Sequence, residues 1–137
     1  MRYLLDTSAL LAHFRQEAGW EQVQSLFESK DTEAIVTSVS FTEFGRRLVD
    51  LGATVSAAET ILSNYDLLLN HIATVDLGVA MAAFQLGSQT PQRLPLIDAL
   101  ICGAAQVHDA VLVHRDAHMA AIPPELLRQV NLADGEA

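Results

Sequence analysis

Four carboxylates in this sequence have the residue type and the placement to bind a cation. They are Asp6, Glu43, Asp98 and Asp116, and each lies near the end of a predicted strand or at the start of a predicted helix. In open α/β sheets, ligands bind at the carboxyl ends of the strands. Like charges gathered in such a cleft repel one another, so a cation must compensate them, and hard divalent ions prefer oxygen ligands. The four side chains therefore predict a divalent metal site.

The elements that position these carboxylates alternate between strand and helix. Short apolar runs predict strands at 2–6, 34–37, 71–75 and 110–113, with a weaker one at 129–132. Amphipathic spacing predicts helices at 8–14, 20–29, 41–51, from 56 to the leucines at 68–69, at 76–87 and at 96–108. Such alternation is typical of an α/β fold around a mostly parallel sheet. Without a repeat or a linker, residues 1–137 are predicted to form one domain.

Each carboxylate also has a purely structural interpretation. Asp6 and Asp116 could cap the segments that follow them. The segment Ser40-Phe-Thr-Glu43 fits a capping box at the start of the 41–51 helix, which would account for Glu43. Asp98 could simply favour the positive end of its helix. The metal-site hypothesis therefore depends on the four acids together and on none of them alone.

Composition limits the classes of function. The 137 residues include 17 acids and 8 bases, for a net charge of −9, whereas broad, non-specific nucleic-acid binding normally needs a basic protein. No apolar run approaches the ~18 residues of a membrane span, and no signal-peptide core is present. The single cysteine, Cys102, cannot form an internal disulfide and is expected to be packed in the interior. We therefore expect a soluble cytoplasmic protein without membrane contact.

Other small α/β classes lack their required residues here. A receiver domain needs a lysine late in the chain, but the only lysine is Lys30. A dehalogenase-type phosphatase needs Asp-x-Asp, and the corresponding segment is Asp6-Thr-Ser8. Neither glycine-rich phosphate-loop pattern occurs in the chain.

Four segments in this order and spacing resemble the motifs of PIN-domain ribonucleases, in particular the VapC-type toxins of toxin–antitoxin pairs. The resemblance extends from Tyr3 to about Ile122. It implies a three-layer α/β/α sandwich with a central, mostly parallel sheet. The segments are Leu4-Leu-Asp6-Thr-Ser-Ala-Leu10, Thr42-Glu43-Phe44, Leu96-Ile-Asp98-Ala-Leu-Ile101 and Leu112-Val-His-Arg-Asp116.

The resemblance implies a metal-dependent endoribonuclease that hydrolyses RNA phosphodiester bonds. Asp6, Asp98 and Asp116 would bind Mg²⁺ or Mn²⁺, and Glu43 would be the fourth catalytic acid and would orient the attacking water. The family context also implies a homodimer and a small basic antitoxin protein as partner.

Neighbouring polar residues are given supporting roles. The hydroxyls of Thr7 and Ser8 are expected to touch the metal shell or a phosphate, or else to cap the helix. Arg46 or Arg47, one turn beyond Glu43, is expected to pair with Glu43 or to reach RNA phosphate. On the 76–87 helix, Phe84 is expected to face inward.

The fourth motif departs from the family pattern. His114 replaces the usual threonine, and His118 stands where a further acid is common. Alternating His114, Asp116 and His118 would share one face of an extended segment, and imidazole would favour a transition metal. The departure also leaves a second interpretation open, a catalytically degenerate PIN fold that binds protein or RNA.

Overall fold

Within residues 1–134, the sheet is fully parallel and has five strands. A computed structural model describes residues 1–134; the last three residues of the predicted domain lie outside the described part. The strand order is β3-β2-β1-β4-β5, so β1 and β4 lie side by side near the centre. The strands are β1 Arg2–Leu5, β2 Glu33–Thr37, β3 His71–Ala73, β4 Val111–His114 and β5 Gln129–Asn131.

Helices cover both faces of this sheet. Leu4 and Leu112 pack with α5 and α6, whereas the adjacent Leu5 and Val113 pack with α1 to α4. Strands that are buried on both faces need continuous apolar runs, which is the pattern the sequence shows. The predicted α/β/α sandwich is confirmed. The helices are α1 Thr7–Arg15, α2 Trp20–Glu28, α3 Ser38–Asp50, α4 Val55–Leu68, α5 Leu77–Gln89, α6 Leu96–Val107 and α7 Ala117–Ala120. Among residues 1–134, none of them is long and apolar enough to span a membrane.

Helix α3 begins three residues earlier than the sequence pattern indicated. Its N-cap is Thr37, whose Oγ1 accepts a hydrogen bond from the Ser40 amide at 3.2 Å. Ser40 is buried inside the helix, and its hydroxyl lies 2.9 Å from the Thr37 hydroxyl. The capping-box interpretation is therefore wrong, and Glu43 lies in the second turn rather than the first. Its carboxylate remains free for another role.

The expectation that Phe84 faces inward is also wrong. Its side chain is 72% exposed, and Leu77 and Met81 are exposed beside it, while Val79 and Ala83 are buried. Both sets of residues repeat with helical spacing, so the sequence of α5 offers two apolar faces. Packing against α6 selects the face with the smaller side chains, because the two helices approach closely at Gly103.

Gly103 and Gly87 allow this close approach to be tested. A Cβ at Gly103 would lie 2.7 Å from the Ala83 amide nitrogen and 2.8 Å from the Val79 carbonyl oxygen, whereas a Cβ at Gly87 would meet nothing within 4 Å. We expect Gly103→Ala to lower the free energy of unfolding by about 1–3 kcal/mol through overpacking. Gly87→Ala should raise it by roughly 0.5–1 kcal/mol. Chemical denaturation measures both, and equal stability of the two variants would contradict the close packing.

Candidate metal centre

The four acids converge on one edge of the sheet. Asp6 directly follows β1, and its amide donates to the Val113 carbonyl of β4 at 3.1 Å. Asp116 comes two residues after β4, so β1 and β4 deliver these two carboxylates to neighbouring positions. Glu43 on α3 and Asp98 in the first turn of α6 approach the same place from the two helical layers.

Asp6 is the most buried of the four, with an exposure of 3%. Its Oδ1 accepts hydrogen bonds from the Ala9 amide at 2.8 Å and from the Ser8 hydroxyl at 2.7 Å, so it also caps α1. Burial raises the pKa of Asp6 to about 7, reinforced by the charges of Asp116 and Asp98 and opposed by these hydrogen bonds. The capping interpretation is confirmed, but capping alone does not explain why an acid is buried beside other acids.

Asp116 is the N-cap of the short helix α7. Its Oδ1 accepts from the amides of His118 at 2.7 Å and Met119 at 3.2 Å. Both bonds go to one oxygen, and within residues 1–134 no donor is bonded to Oδ2. The carboxylate can therefore cap the helix with one oxygen and face a cation with the other.

Asp98 is half-buried, and no hydrogen bond from residues 1–134 reaches its carboxylate. Burial, together with the charges of Asp116 and Glu43, raises the pKa of Asp98 to about 6, while His118 opposes the rise. Its place in the first turn of α6 is also favourable for an anion. A bound cation would stabilise the charged form of this half-buried carboxylate, which lies beside other acids and accepts no hydrogen bond from residues 1–134.

Three potential ligand atoms lie close together around Asp98. One carboxylate oxygen each from Asp98 and Asp116 and one ring nitrogen from His118 are within 4.8 Å of one another. This donor set fits a divalent ion. Asp6 and Glu43 lie outside this group of three, although the charges of Asp116 and Asp98 contribute to the raised pKa of Asp6. The sequence motifs contain Asp98, Asp116 and His118, but their spacing along the chain gave no sign that these three donors lie together.

Thr7 and Ser8 hold carboxylates in place. The Thr7 hydroxyl donates to Glu43 Oε1 at 2.6 Å, which connects α1 with α3. The Ser8 hydroxyl donates to Asp6 and accepts from the Arg115 amide at 2.8 Å, which connects α1 with the end of β4. These partners lie 36 and 107 residues away, so no local sequence signal could have identified them.

The predicted pairing of an arginine with Glu43 does not occur. Arg46 and Arg47 are exposed on α3, and within residues 1–134 neither makes an ion pair. Glu43 is instead bonded to Thr7. The arginines lie one turn along the helix from Glu43, but the carboxylate turns towards α1 because a closer donor is available there.

His114 is a structural residue. It is fully buried, its Nε2 lies 2.7 Å from Gln129 Oε1, and its Nδ1 accepts from the Asp116 amide at 3.1 Å. Burial lowers the pKa of His114, which favours the neutral ring that these bonds require. Both ring nitrogens are engaged, so His114 has none left for a metal. The expected shared face with His118 is wrong, because helix α7 starts after Asp116 and ends the extended segment.

A groove of about 620 Å³ opens beside this centre. Its polar lining consists of Ser8, Glu17, Arg115, Asp116 and Asn131. The Arg115 guanidinium lies 3.9 Å from the Glu17 carboxylate. The groove is thus lined by one acid of the centre, Asp116, and by a cationic side chain.

The raised pKa of Asp6 predicts how the stability of the metal-free protein depends on pH. The folded state holds this proton up to about pH 7, whereas the ordinary pKa of an aspartate is 3.8, so folding stability falls as pH rises from 4 through 7. Asp6→Asn removes this pH dependence but keeps the helix cap. We expect the variant to be more stable than the wild type at pH 8, by an amount on the order of a few kcal/mol, and to show a flatter profile.

Asp76→Asn is the matched control, because Asp76 caps α5 by accepting from the Val79 amide at 3.0 Å. Melting curves at several pH values should show the wild-type slope for this variant. A loss of stability in Asp6→Asn at both pH 5 and pH 8 would contradict the assignment of a buried, repelled carboxylate.

Comparison with known proteins identifies the family and the shared fold. The sequence model of the PIN domain family matches residues 3–123, which is most of the chain. No curated protein matches the sequence significantly.

Solved structures share the fold at low sequence identity. The VapBC2 complex from Rickettsia felis, bound to a DNA fragment from its promoter, contains a chain with a TM-score of 0.75 and 18% identity; 96% of this chain and 98% of that chain are covered. VapBC-1 from nontypeable Haemophilus influenzae has a TM-score of 0.77 and 13% identity, with 98% of this chain and 100% of that chain covered. FitAcB from Neisseria gonorrhoeae has a TM-score of 0.73 and 18% identity, with 98% of this chain and 99% of that chain covered. With a family match over residues 3–123 and this shared fold, the chain belongs to the PIN-domain family.

Proposed function

We propose that this protein is a metal-dependent endoribonuclease that hydrolyses RNA phosphodiester bonds in the cytoplasm as the toxin of a toxin–antitoxin pair. The observation that carries the proposal is the half-buried Asp98 carboxylate, with a pKa of about 6, beside the donor atoms of Asp116 and His118. PIN nucleases generally use a divalent metal, and we assign Mg²⁺ or Mn²⁺ to this group.

The chemistry divides between the ion and the side chains. When bound, a divalent ion offsets negative charge on the phosphoryl oxygens and lowers the pKa of water. Asp98 and Asp116 would hold the ion, with Asp6 as the third carboxylate ligand that the sequence predicts. Glu43, whose carboxylate is fixed by the Thr7 hydroxyl, would orient the attacking water.

The groove beside Asp116 supports RNA as the substrate. Its volume of about 620 Å³ admits part of a nucleotide chain, and Asp116 of the acidic centre lines it. Arg115 in its lining is suited to a phosphate group. A protein with a net charge of −9 needs such a local cation, because its surface as a whole repels RNA.

The exposed face of α5 and α6 supports a homodimer. Phe84 on α5 and Leu96 on α6 are 72% and 74% exposed, and Leu77 and Met81 extend the same apolar surface. Contiguous apolar surface of this kind marks interaction sites on small proteins. We assign this face to contact with a second copy of the chain.

Asp98→Asn tests the catalytic proposal directly. No hydrogen bond from residues 1–134 reaches this carboxylate, so the amide should leave the fold intact. Calorimetry on metal-free protein should show a large loss of Mn²⁺ and Mg²⁺ affinity, and RNA cleavage should fall by about 100-fold or more. Asp76→Asn, a capping residue outside the centre, should behave like the wild type in both assays. Metal binding by the wild type without RNA cleavage would favour the binding-module interpretation.

Charge complementarity predicts the partner. Several structural neighbours are toxin–antitoxin complexes, and a basic segment whose arginine or lysine enters the acidic centre would suit this chain. Co-expression with a small basic protein from the neighbouring reading frame should give a stable complex that cleaves RNA poorly. Asp98→Asn and Asp116→Asn should each weaken that complex about tenfold or more. If both variants bind the partner as tightly as the wild type, the partner does not reach the centre.

A further inference from the structure

We propose that the His118 imidazole is a direct metal ligand and gives the centre a preference for Mn²⁺ over Mg²⁺. This inference rests on the metal-dependent function proposed above and specifies the ion. It concerns one side chain that the four-acid pattern does not include.

The start of α7 holds His118 beside the acids. The His118 amide donates to Asp116 Oδ1 at 2.7 Å, and the imidazole Nδ1 lies 3.4 Å from the same oxygen. A ring nitrogen of His118 is also within 4.8 Å of a carboxylate oxygen of Asp98. The side chain is 61% exposed, so small rotations towards an ion displace no packed neighbour. The amide bond and the ring contact with Asp116 together hold this imidazole at the metal centre.

His118 differs in its contacts from the histidines of the interior. His13 uses both ring nitrogens, at 2.6 Å from the Tyr65 hydroxyl and 2.7 Å from Gln24 Oε1. His114 also uses both of its ring nitrogens. The ring of His118 instead lies beside the carboxylates of Asp116 and Asp98.

Ligand chemistry then decides between the two ions. Mg²⁺ strongly prefers oxygen ligands and dehydrates reluctantly. Imidazole suits transition metals, whose affinity for mixed nitrogen and oxygen sites rises from Mn²⁺ to Co²⁺. Two carboxylate oxygens and one imidazole nitrogen form such a mixed site. We expect the wild-type chain to bind Mn²⁺ about tenfold more tightly than Mg²⁺.

The test measures ion binding on the full-length, metal-free chain, without reference to activity. Calorimetry compares Mn²⁺ and Mg²⁺ for the wild type, His118→Asn and His118→Asp. The visible absorption of bound Co²⁺ reports nitrogen ligation independently. The cap of α7 uses the backbone amide of residue 118, so both variants retain it. His71→Asn, an exposed histidine whose ring contacts His108, is the control.

The expected result is a selective change. His118→Asn should lower Mn²⁺ affinity about tenfold, change Mg²⁺ affinity much less and shift the Co²⁺ spectrum. His118→Asp should strengthen Mg²⁺ binding, because it returns an oxygen ligand to the centre. His71→Asn should match the wild type.

Two different failures are distinguishable. If His118→Asn leaves the Mn²⁺ to Mg²⁺ ratio and the Co²⁺ spectrum unchanged while Asp98→Asn abolishes binding, His118 is not a ligand and the metal centre still stands. If Asp98→Asn also leaves binding unchanged, or the wild type binds no ion, the proposed function fails together with this inference.

Discussion

The burial of neighbouring carboxylates at the carboxyl edge of the sheet is the constraint on which the rest of this structure depends. Burial raises the pKa of Asp6 to about 7, and the charges of Asp116 and Asp98 add to the rise. Hydrogen bonds from backbone amides offset part of this cost: amides in the first turns of α1 and α7 donate to the carboxylates of Asp6 and Asp116. Helix N-termini also carry positive partial charge, so the N-termini of α1, α6 and α7 at this edge of the sheet favour anions there.

The rigidity of this edge comes from the two apolar layers. Asp98 is carried by α6, whose buried face packs against both the sheet and α5. Cys102, one turn after Asp98, is completely buried, and burial raises the pKa of its thiol, so the expected packing role is confirmed. On the opposite layer, the Thr7 hydroxyl fixes Glu43 between α1 and α3. The carboxylates therefore remain close together because the core does not allow them to separate.

The fourth motif shows how two nearby histidines come to differ. His114 ends β4, where it is buried and bonded to Gln129, whose amide donates in turn to the Ile122 carbonyl at 3.0 Å. This chain of bonds ties β5 and the segment after α7 to β4. Four residues later, His118 is on an exposed turn of α7, whose other side is anchored by the buried Met119. One imidazole supports the loop and the other faces the acids.

Local pattern determined much of this protein. Apolar runs located all five strands, amphipathic spacing located six of the seven helices in residues 1–134, and the four motif acids marked the edge where they meet. These features depend on neighbours within a few residues. Tertiary structure alone decided the rest: the early start of α3, the Thr7–Glu43 bond across 36 residues, the face of α5 that is buried, and which histidine faces the acids. Each of these depends on groups far apart in the chain that meet only when the layers pack.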